Sequence, residues 1–243
     1  LKTMVIGQDT AIKKIAKAIR RNSTGIRAHT RPIGTFMFLG STGIGKTHLA
    51  KAIANELFGS PESLIRVDMS EYTEKFNTSR LIGSPPGYVG HNQGGQLTEA
   101  VRNKPYSVVL FDEIEKSHRD VFDLLLQIFD EGHLTDGMGR KVNFKNTLII
   151  MTSNVGSRKL QDFGAGIGFT TGSKDVKRAE EEKHVITKAL KNRFSPEFLN
   201  RVDESVIFNA LDEKQVEKIT EIEVEKLSER LSEVGYNFKF NKS

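Results

Sequence analysis

A glycine-rich segment between two apolar runs constrains the fold of this chain more than any other feature. Residues 40–47 read Gly-Ser-Thr-Gly-Ile-Gly-Lys-Thr and match the phosphate-binding pattern G-x-x-x-x-G-K-[ST] at every fixed position. Residues 35–39 are typical of a buried strand, and apolar residues recur at helical spacing after the loop. A strand, a glycine loop and a helix N-terminus in this order form a phosphate site. A chance glycine-rich turn is the alternative, and both flanks count against it.

The residue types of the loop suit a nucleotide and its metal. The glycines allow a tight turn that brings backbone N–H groups close to an anion. Lys46 can reach the outer phosphates, and the Thr47 hydroxyl can ligate Mg²⁺. The sequence therefore predicts a site for a nucleoside triphosphate.

A second apolar run ends in two acidic residues. Residues 108–111 are continuously apolar, as in a central parallel strand covered on both faces, and Asp112 and Glu113 follow them. Ligands bind at the carboxyl ends of strands in open α/β sheets, which places Asp112 to hold Mg²⁺ through water and Glu113 to polarise the attacking water. Capping of the following helix would be the better interpretation of this pair if the glycine loop were missing.

A third apolar run, residues 147–151, leads to Asn154. We expect the end of this strand at the same edge of the sheet, where Asn154 can hydrogen-bond the attacking water or the terminal phosphate. A turn-forming asparagine after a strand is equally consistent with the residues alone.

Composition limits the setting of this site. The chain has 243 residues, a formal net charge of +5 and no cysteine, so it carries neither a disulfide framework nor thiolate chemistry. It shows no signal peptide and no apolar run long enough to cross a membrane. The basic residues are interspersed with acidic ones, which favours a solvated surface over nucleic-acid binding. We expect a cytoplasmic protein that binds neither membrane nor nucleic acid.

Strand patterns alternate with helical patterns along the chain, which predicts an α/β fold with a parallel, doubly wound sheet. We expect a large subdomain over residues 1–208. Residues 212–215 resemble a capping box, and the helix they open puts its apolar residues largely on one side. We expect this helix to begin a small helical domain, residues 209–243, that continues beyond this chain, and both chain ends to be cut from a longer protein.

Together these landmarks resemble an AAA+ ATPase of the Clp/Hsp100 unfoldase family, closest to the second ATPase module of ClpC-type proteins. The resemblance covers essentially the whole chain and is carried by residues 5–8, 40–47, 87–90, 110–116, 152–156 and 198–204. It implies a P-loop AAA+ domain with a central parallel sheet flanked by helices. It also implies ATP or ADP and Mg²⁺ as cofactors, with Thr47 and Asp112 at the metal.

The resemblance also assigns roles to individual residues. Glu113 would be the catalytic base, Asn154 the polar sensor, and Arg201 an arginine finger that reaches a neighbouring subunit of a hexamer. A finger supplied by a neighbour is worth on the order of 10³–10⁵ in rate, so an isolated subunit should hydrolyse ATP poorly. The implied nucleotide-binding residues, with the adenine pocket first, are Val5, Ile6, Ser41, Thr42, Gly43, Ile44, Gly45, Lys46, Thr47, His48 and Asp112.

Two further loops bear on what such an ATPase would act upon. Gly87, Tyr88, Val89 and Gly90 would form the pore loop that grips unfolded polypeptide, with residues 137–140 as a weaker second loop. The alternative for Tyr88 is a surface aromatic that covers a small core.

Ile167, Gly168 and Phe169 resemble the tripeptide with which Clp unfoldases dock into a ClpP-type peptidase. The alternative is that both large side chains fold back onto the domain. The implied function is threading of substrates through a hexamer pore into that peptidase, with room for adaptor proteins. The alternative function is that of a ClpB-type disaggregase acting without a peptidase. A nucleic-acid remodelling ATPase and a non-catalytic ATP-binding module find less support in the residues.

Overall fold

A five-stranded parallel sheet forms the centre of the molecule. The computed structural model describes residues 5–23, 30–84, 94–156 and 174–235. The described strands are β1 (Gly34–Leu39), β2 (Leu64–Asp68), β3 (Val108–Asp112), β4 (His133–Thr135), β5 (Lys141–Asn143), β6 (Leu148–Ser153) and β7 (Glu204–Ile207). The central sheet has the order β2-β3-β6-β1-β7, and β4 pairs with β5 in a separate antiparallel hairpin. The parallel sheet predicted from the alternating pattern is thereby confirmed.

Helices connect these strands and cover the sheet. The described helices are α1 (Asp9–Ser23), α2 (Lys46–Phe58), α3 (Lys75–Ile82), α4 (Gln96–Asn103), α5 (Arg119–Glu131), α6 (Lys174–Arg193), α7 (Pro196–Arg201) and α8 (Glu213–Glu233). In the described part of the chain, no helix combines the length and the apolar character that a membrane crossing needs. The predicted capping box is present, since Asp212 accepts a hydrogen bond from the Gln215 amide and the Gln215 side chain accepts one from the Asp212 amide.

The two faces of the sheet hold separate hydrophobic cores. Strands β1, β3 and β6 are buried along their whole length, as expected for central parallel strands. Alternate side chains of β1 point to opposite faces: Phe36 and Phe38 join the core under α1 and α2, and Met37 joins the core under α5 and α7. This double burial fixes the register of the strands, because a slip by one residue would exchange the two faces.

The strand register brings the ends of three strands together. Leu39 pairs with Ser153, Phe111 pairs with Met151, and Asp68 pairs with Asp112. The glycine loop after β1, the acidic pair at the end of β3 and Asn154 after β6 therefore meet at one edge of the sheet.

The hairpin of β4 and β5 differs from the sequence-based expectation. We expect a turn with flexible glycines over residues 134–140, whereas Leu134 lies in a strand and the turn is fixed by Asp136. The Asp136 carboxylate accepts hydrogen bonds from the amides of Met138 and Arg140 at 3.0 and 2.8 Å, and from Arg140 Nε at 2.7 Å. Burial pushes the pKa of Asp136 up, but these hydrogen bonds outweigh it and hold that pKa below its usual value.

Candidate nucleotide site

The glycine loop leaves β1 and enters α2 with its backbone N–H groups open. Gly43 and Gly45 have φ angles of 83° and 94°, in the left-handed region that favours glycine, and no atom lies within 4 Å of where a Cβ would stand. Gly45 precedes the first residue of α2, and no side chain caps this helix. The free N–H groups and the helix dipole are therefore available to an anion.

Lys46 is buried beside this loop with only 8% of its surface exposed. Its ammonium donates to the carbonyls of Gly40 and Ser41 at 2.5 and 2.7 Å and to Asn154 Oδ1 at 2.8 Å. Burial lowers the pKa of Lys46, while carboxylates nearby, with Glu115 foremost, favour its charged form. The ammonium is thus held at the mouth of the loop by three oxygen atoms.

Asp112 is buried at the end of β3, and both of its oxygens are bonded. Oδ1 accepts from the Thr152 hydroxyl at 2.5 Å, and Oδ2 accepts from Arg66 Nε at 3.0 Å. Arg66 Nη2 completes an ion pair with the same oxygen at 2.7 Å. The sequence reasoning missed both partners. Arg66 stands out in the sequence only as a charged residue between Ile65 and Val67, which does not reveal that β2 lies beside β3.

Glu113 follows directly in a strained backbone conformation. Its φ is 56°, and among the described residues it is the one non-glycine with a positive φ. Its Oε1 accepts from Asn154 Nδ2 at 3.2 Å, and its Oε2 pairs with Lys116 at 2.5 Å, which raises the pKa of Lys116. Asn154 therefore bridges Lys46 and Glu113 with the two ends of one amide.

These groups face a common cavity of about 440 Å³. Its lining residues are Thr42, Gly43, Gly45, Lys46, Thr47, His48, Arg66, Asp68, Asp112, Glu113, Thr152 and Asn154. The open glycine cradle and the buried ammonium fit phosphate groups, and the Thr47 hydroxyl with the Asp112 carboxylate suits Mg²⁺. Within the described ranges, no cluster of three acidic, histidine or cysteine side chains could hold a metal alone. The phosphates and water would therefore supply the other ligands of the metal.

A second cavity of about 170 Å³ adjoins the glycine loop and shares Gly43, Gly45 and His48 with the first. Val5 and Ile6, the two residues predicted for the adenine pocket, line it with Ile44 and with Leu211, Ile219 and Ile222 from the α8 region. These last three were not predicted, because α8 was assigned to a separate domain. The apolar residues of α8 are the sequence signal for Ile219 and Ile222, whereas Leu211 precedes the helix.

Gln8 hydrogen-bonds segments of the chain that border this second cavity. The side chain is 2% exposed, and its amide donates to the carbonyls of Asn209 and Ile44 at 3.0 and 3.4 Å. Its Oε1 accepts from the Asn209 amide at 3.3 Å. One side chain thus links the N-terminal segment, the glycine loop and the approach to α8. The division into residues 1–208 and 209–243 stays a prediction, and this contact crosses it.

Arg201 lies away from both cavities, at the end of α7. Its Nε is 2.6 Å from Asp130 Oδ1 at the end of α5, and the side chain is partly exposed. Phe198 anchors α7, with its ring 5.0 Å from that of Phe122 and 5.7 Å from that of Phe129. Arg201 is therefore presented to solvent from a fixed helix and is not part of the site of its own chain.

Several predicted residues cannot be placed. The pore loop residues Gly87, Tyr88, Val89 and Gly90 lie outside the described residues, as do the docking residues Ile167, Gly168 and Phe169. The other predicted nucleotide residues line one or both cavities, except Ser41, whose carbonyl accepts a hydrogen bond from Lys46.

Comparison with known proteins identifies relatives of this chain. The family model described as "AAA domain (Cdc48 subfamily)" matches residues 31–205. The "ATP-dependent Clp protease ATP-binding subunit ClpC" of Staphylococcus aureus (strain USA300) is 56% identical over 234 residues, which are 96% of this chain and 28% of that protein. The protein of the same name from Staphylococcus saprophyticus is 55% identical over 238 residues, 98% of this chain and 29% of its own length. The chain thus spans less than a third of the length of these relatives.

Proposed function

Since the chain belongs to the AAA domain family (Cdc48 subfamily) and is an ATPase domain, we propose that it is the motor module of a Clp-type protein unfoldase, similar to the second module of ClpC. The observation that carries this proposal is the connected set Lys46, Asn154 and Glu113 on the cavity that also holds Thr47 and Asp112. Side chains that can bind phosphate and metal, and a carboxylate that can activate water, lie together at one edge of the sheet.

In the proposed site, the phosphates of ATP lie on the amides of residues 43–47, with Lys46 at the outer phosphates. The adenine base of ATP lies between Val5, Ile6 and the α8 region. Thr47 and Asp112 would hold Mg²⁺, which neutralises charge on the phosphate oxygens.

Hydrolysis is assigned to residues at the carboxyl ends of β3 and β6. Glu113 orients and polarises the attacking water. The Asn154 side chain hydrogen-bonds the Glu113 carboxylate with its Nδ2 and Lys46 with its Oδ1. The position of the catalytic base Glu113 is therefore coupled to that of Lys46. Lys116 pairs with the other Glu113 oxygen, so both oxygens of the carboxylate have a partner.

Arg201 is proposed to act on the site of a neighbouring subunit in a hexamer. Its placement on a fixed helix, partly exposed and outside the cavities of its own chain, supports a role across an interface. The positive charge would offset the negative charge that grows on the transferred phosphoryl group.

The work done with this hydrolysis is proposed to be the threading of unfolded proteins. Tyr88 on its glycine-flanked loop would grip the substrate, and Ile167, Gly168 and Phe169 would dock on a ClpP-type peptidase. The name of the relatives, "ATP-dependent Clp protease ATP-binding subunit", supports this partner. Adaptor proteins that select substrates, and a cytoplasmic location, belong to the same proposal.

The test uses the full-length protein with a ClpP-type peptidase and a fluorescent unfolded substrate. Deletion of residues 167–169 should abolish degradation and leave ATP hydrolysis intact. Tyr88→Ala should slow degradation with the docking residues present. If the intact protein hydrolyses ATP but never stimulates the peptidase, the module is that of a disaggregase. If Lys46→Ala and Glu113→Gln leave hydrolysis unchanged, the assigned site is wrong.

A further inference from the structure

Arg66 lines the phosphate cavity, but the proposed mechanism gives it no role. It lies in the middle of β2, where it pairs in register with Leu110, two positions before the pair of Asp68 and Asp112. Its neighbours Ile65 and Val67 point into the core under α5, so Arg66 points to the other face, which it shares with Asp112. The strand register therefore aims a guanidinium at the residue that would hold the metal.

The contact between the two side chains is close and directional. Arg66 Nε and Nη2 reach the same Asp112 oxygen at 3.0 and 2.7 Å, and the Thr152 hydroxyl takes the other oxygen. Asp112 is buried, and a buried carboxylate needs an opposite charge or hydrogen-bond donors to remain ionised. Arg66 supplies this charge from a direction open to the cavity.

The guanidinium is free to change partners. Its side chain is 53% exposed and lines the same cavity as Lys46 and Thr47. A second carboxylate, Asp68, has an oxygen 4.0 Å from Arg66 Nη2. Arg66 can therefore leave Asp112 without leaving the cavity and without being buried unpaired.

A divalent cation at Asp112 and the guanidinium would repel each other, because both would sit against one carboxylate. We propose that Arg66 is a second phosphate-binding cation that is held on Asp112 as the counter-charge Mg²⁺ replaces, so that it sets how much Mg²⁺ the site needs. When the metal takes Asp112, Arg66 turns toward Asp68, and Mg²⁺ takes over its role at the phosphates. This inference rests on the proposed nucleotide site.

The proposal predicts opposite changes in two binding measurements. Without Mg²⁺, Arg66 is one of the cavity's cations for phosphate, so Arg66→Gln should weaken ADP binding. With Mg²⁺, the same substitution removes a competitor, so less Mg²⁺ should be needed to restore tight binding. Each change should be about fivefold, the size that a half-exposed ion pair gives. Arg66→Lys keeps the charge and should stay within about twofold of the wild type.

The experiment measures binding of ADP that carries a methylanthraniloyl fluorophore, in EDTA and across a series of Mg²⁺ concentrations. Arg80→Gln is the matched control, since Arg80 is similarly exposed and pairs with Glu71 at 3.8 Å outside the cavity. It should change neither measurement. An unchanged Mg²⁺ requirement in Arg66→Gln, or the same loss of affinity in EDTA and at saturating Mg²⁺, overturns the proposal.

Two further measurements separate the possible failures. If the wild type does not bind ADP, or if Lys46→Ala binds it as well as the wild type does, the proposed nucleotide site fails. If Arg66→Gln does not fold, the Nε–H signal of Arg66 in ¹⁵N-arginine-labelled wild-type protein decides the question. That signal should shift on addition of Mg²⁺ with ADP, and a signal that does not move overturns the exchange of partners.

Discussion

At the scale of single residues, the burial of Lys46 conflicts with its charge. Burial lowers its pKa from 10.5, and the carboxylates of Glu115, Asp112 and Glu113 oppose this shift only in part. Between the lowered pKa and 10.5, the unfolded chain binds more protons at this position than the folded protein does. The free energy of unfolding contributed by Lys46 therefore rises with pH across that window and is constant below it.

Lys46→Met removes this titration, which gives a pH-dependent prediction. The stability of the wild type relative to Lys46→Met should increase as the pH rises from the lowered pKa of Lys46 to 10.5. Urea unfolding of both proteins at a series of pH values measures the difference. A difference that stays constant up to pH 10.5 would show that burial does not perturb the ammonium.

Glu113 gives a second prediction, because its left-handed backbone costs a non-glycine residue about 1–2 kcal/mol. Glu113→Gly should therefore be more stable than Glu113→Ala by about 1 kcal/mol, and we expect neither variant to hydrolyse ATP. Glu115 is the matched control in the same turn, and its φ is not positive. There the glycine variant should be the less stable of the two. Denaturant unfolding of all four variants decides, and the same order at both positions would contradict the strain.

Single residues also show what the sequence can reveal about a site. Lys46, Asp112, Glu113 and Asn154 were predictable because each follows an apolar run whose end defines a sheet edge. Arg66 was not predictable, because its contact with Asp112 requires β2 to lie beside β3. The local sequence does not show which strands are neighbours.

At the scale of elements, the hairpin of β4 and β5 depends on one buried carboxylate. Asp136 accepts two backbone amides and the Arg140 side chain, and Arg140 also pairs with Glu99 of α4 at 2.7 Å. The next residue, Gly137, donates to the Ile82 carbonyl at 2.8 Å, close to the bridge between Gly83 and Gly94. The hairpin turn is therefore fastened to both ends of the segment that contains Tyr88.

Asp136→Ala should lower the free energy of unfolding by about 2–3 kcal/mol, because it removes the buried carboxylate that accepts three hydrogen bonds from Met138 and Arg140. Hydrogen exchange at the amides of Met138 and Arg140 should become faster. Asp123→Ala, on the exposed side of α5, is the control and should change stability by less than about 0.5 kcal/mol. Equal effects of the two substitutions would show that the Asp136 network does not hold the hairpin.

Elements differed in how well the sequence predicted them. Strands β1, β3 and β6 are long buried runs, and their burial on both faces makes them visible as continuous apolar sequence. Strands β4 and β5 have three residues each, too few to display an alternating pattern. The capping box of α8 was visible because capping is local, whereas its contribution to the second cavity is not.

At the scale of the whole molecule, the placement of Arg201 predicts that hydrolysis belongs to pairs of subunits. Arg201→Ala and Glu113→Gln should each reduce hydrolysis by the assembled full-length protein on the order of 10³-fold. A mixture of the two should regain activity, because an intact site of an Arg201→Ala subunit can face the intact Arg201 of a Glu113→Gln subunit.

The control mixture combines Glu113→Gln with Lys46→Met, where every subunit has Arg201 and none has an intact site. It should stay inactive. Steady-state ATP hydrolysis of the two mixtures and of each variant alone, measured after subunit exchange, tests the prediction. If the first mixture is no more active than its components, Arg201 does not act across an interface.

The overall architecture was predictable and the relation between its parts was not. Alternating strand and helix patterns led to the parallel sheet, since connections between parallel strands leave few other arrangements. The position of α8 against the glycine loop depends on Gln8 and Asn209, which are 201 residues apart. A contact over that distance has no local pattern from which it could be recognised.

The bonds between Gln8 and Asn209 close the intervening chain into a ring. The ring is closed by a single buried group, the side-chain amide of Gln8, which also donates to the Ile44 carbonyl of the glycine loop. The cavity assigned to the nucleotide base lies beside these hydrogen bonds, with the N-terminal segment on one side and α8 on the other. Widening that cavity by separating its two sides would break these hydrogen bonds, so we expect exchange of a nucleotide base there to be coupled to opening of the ring.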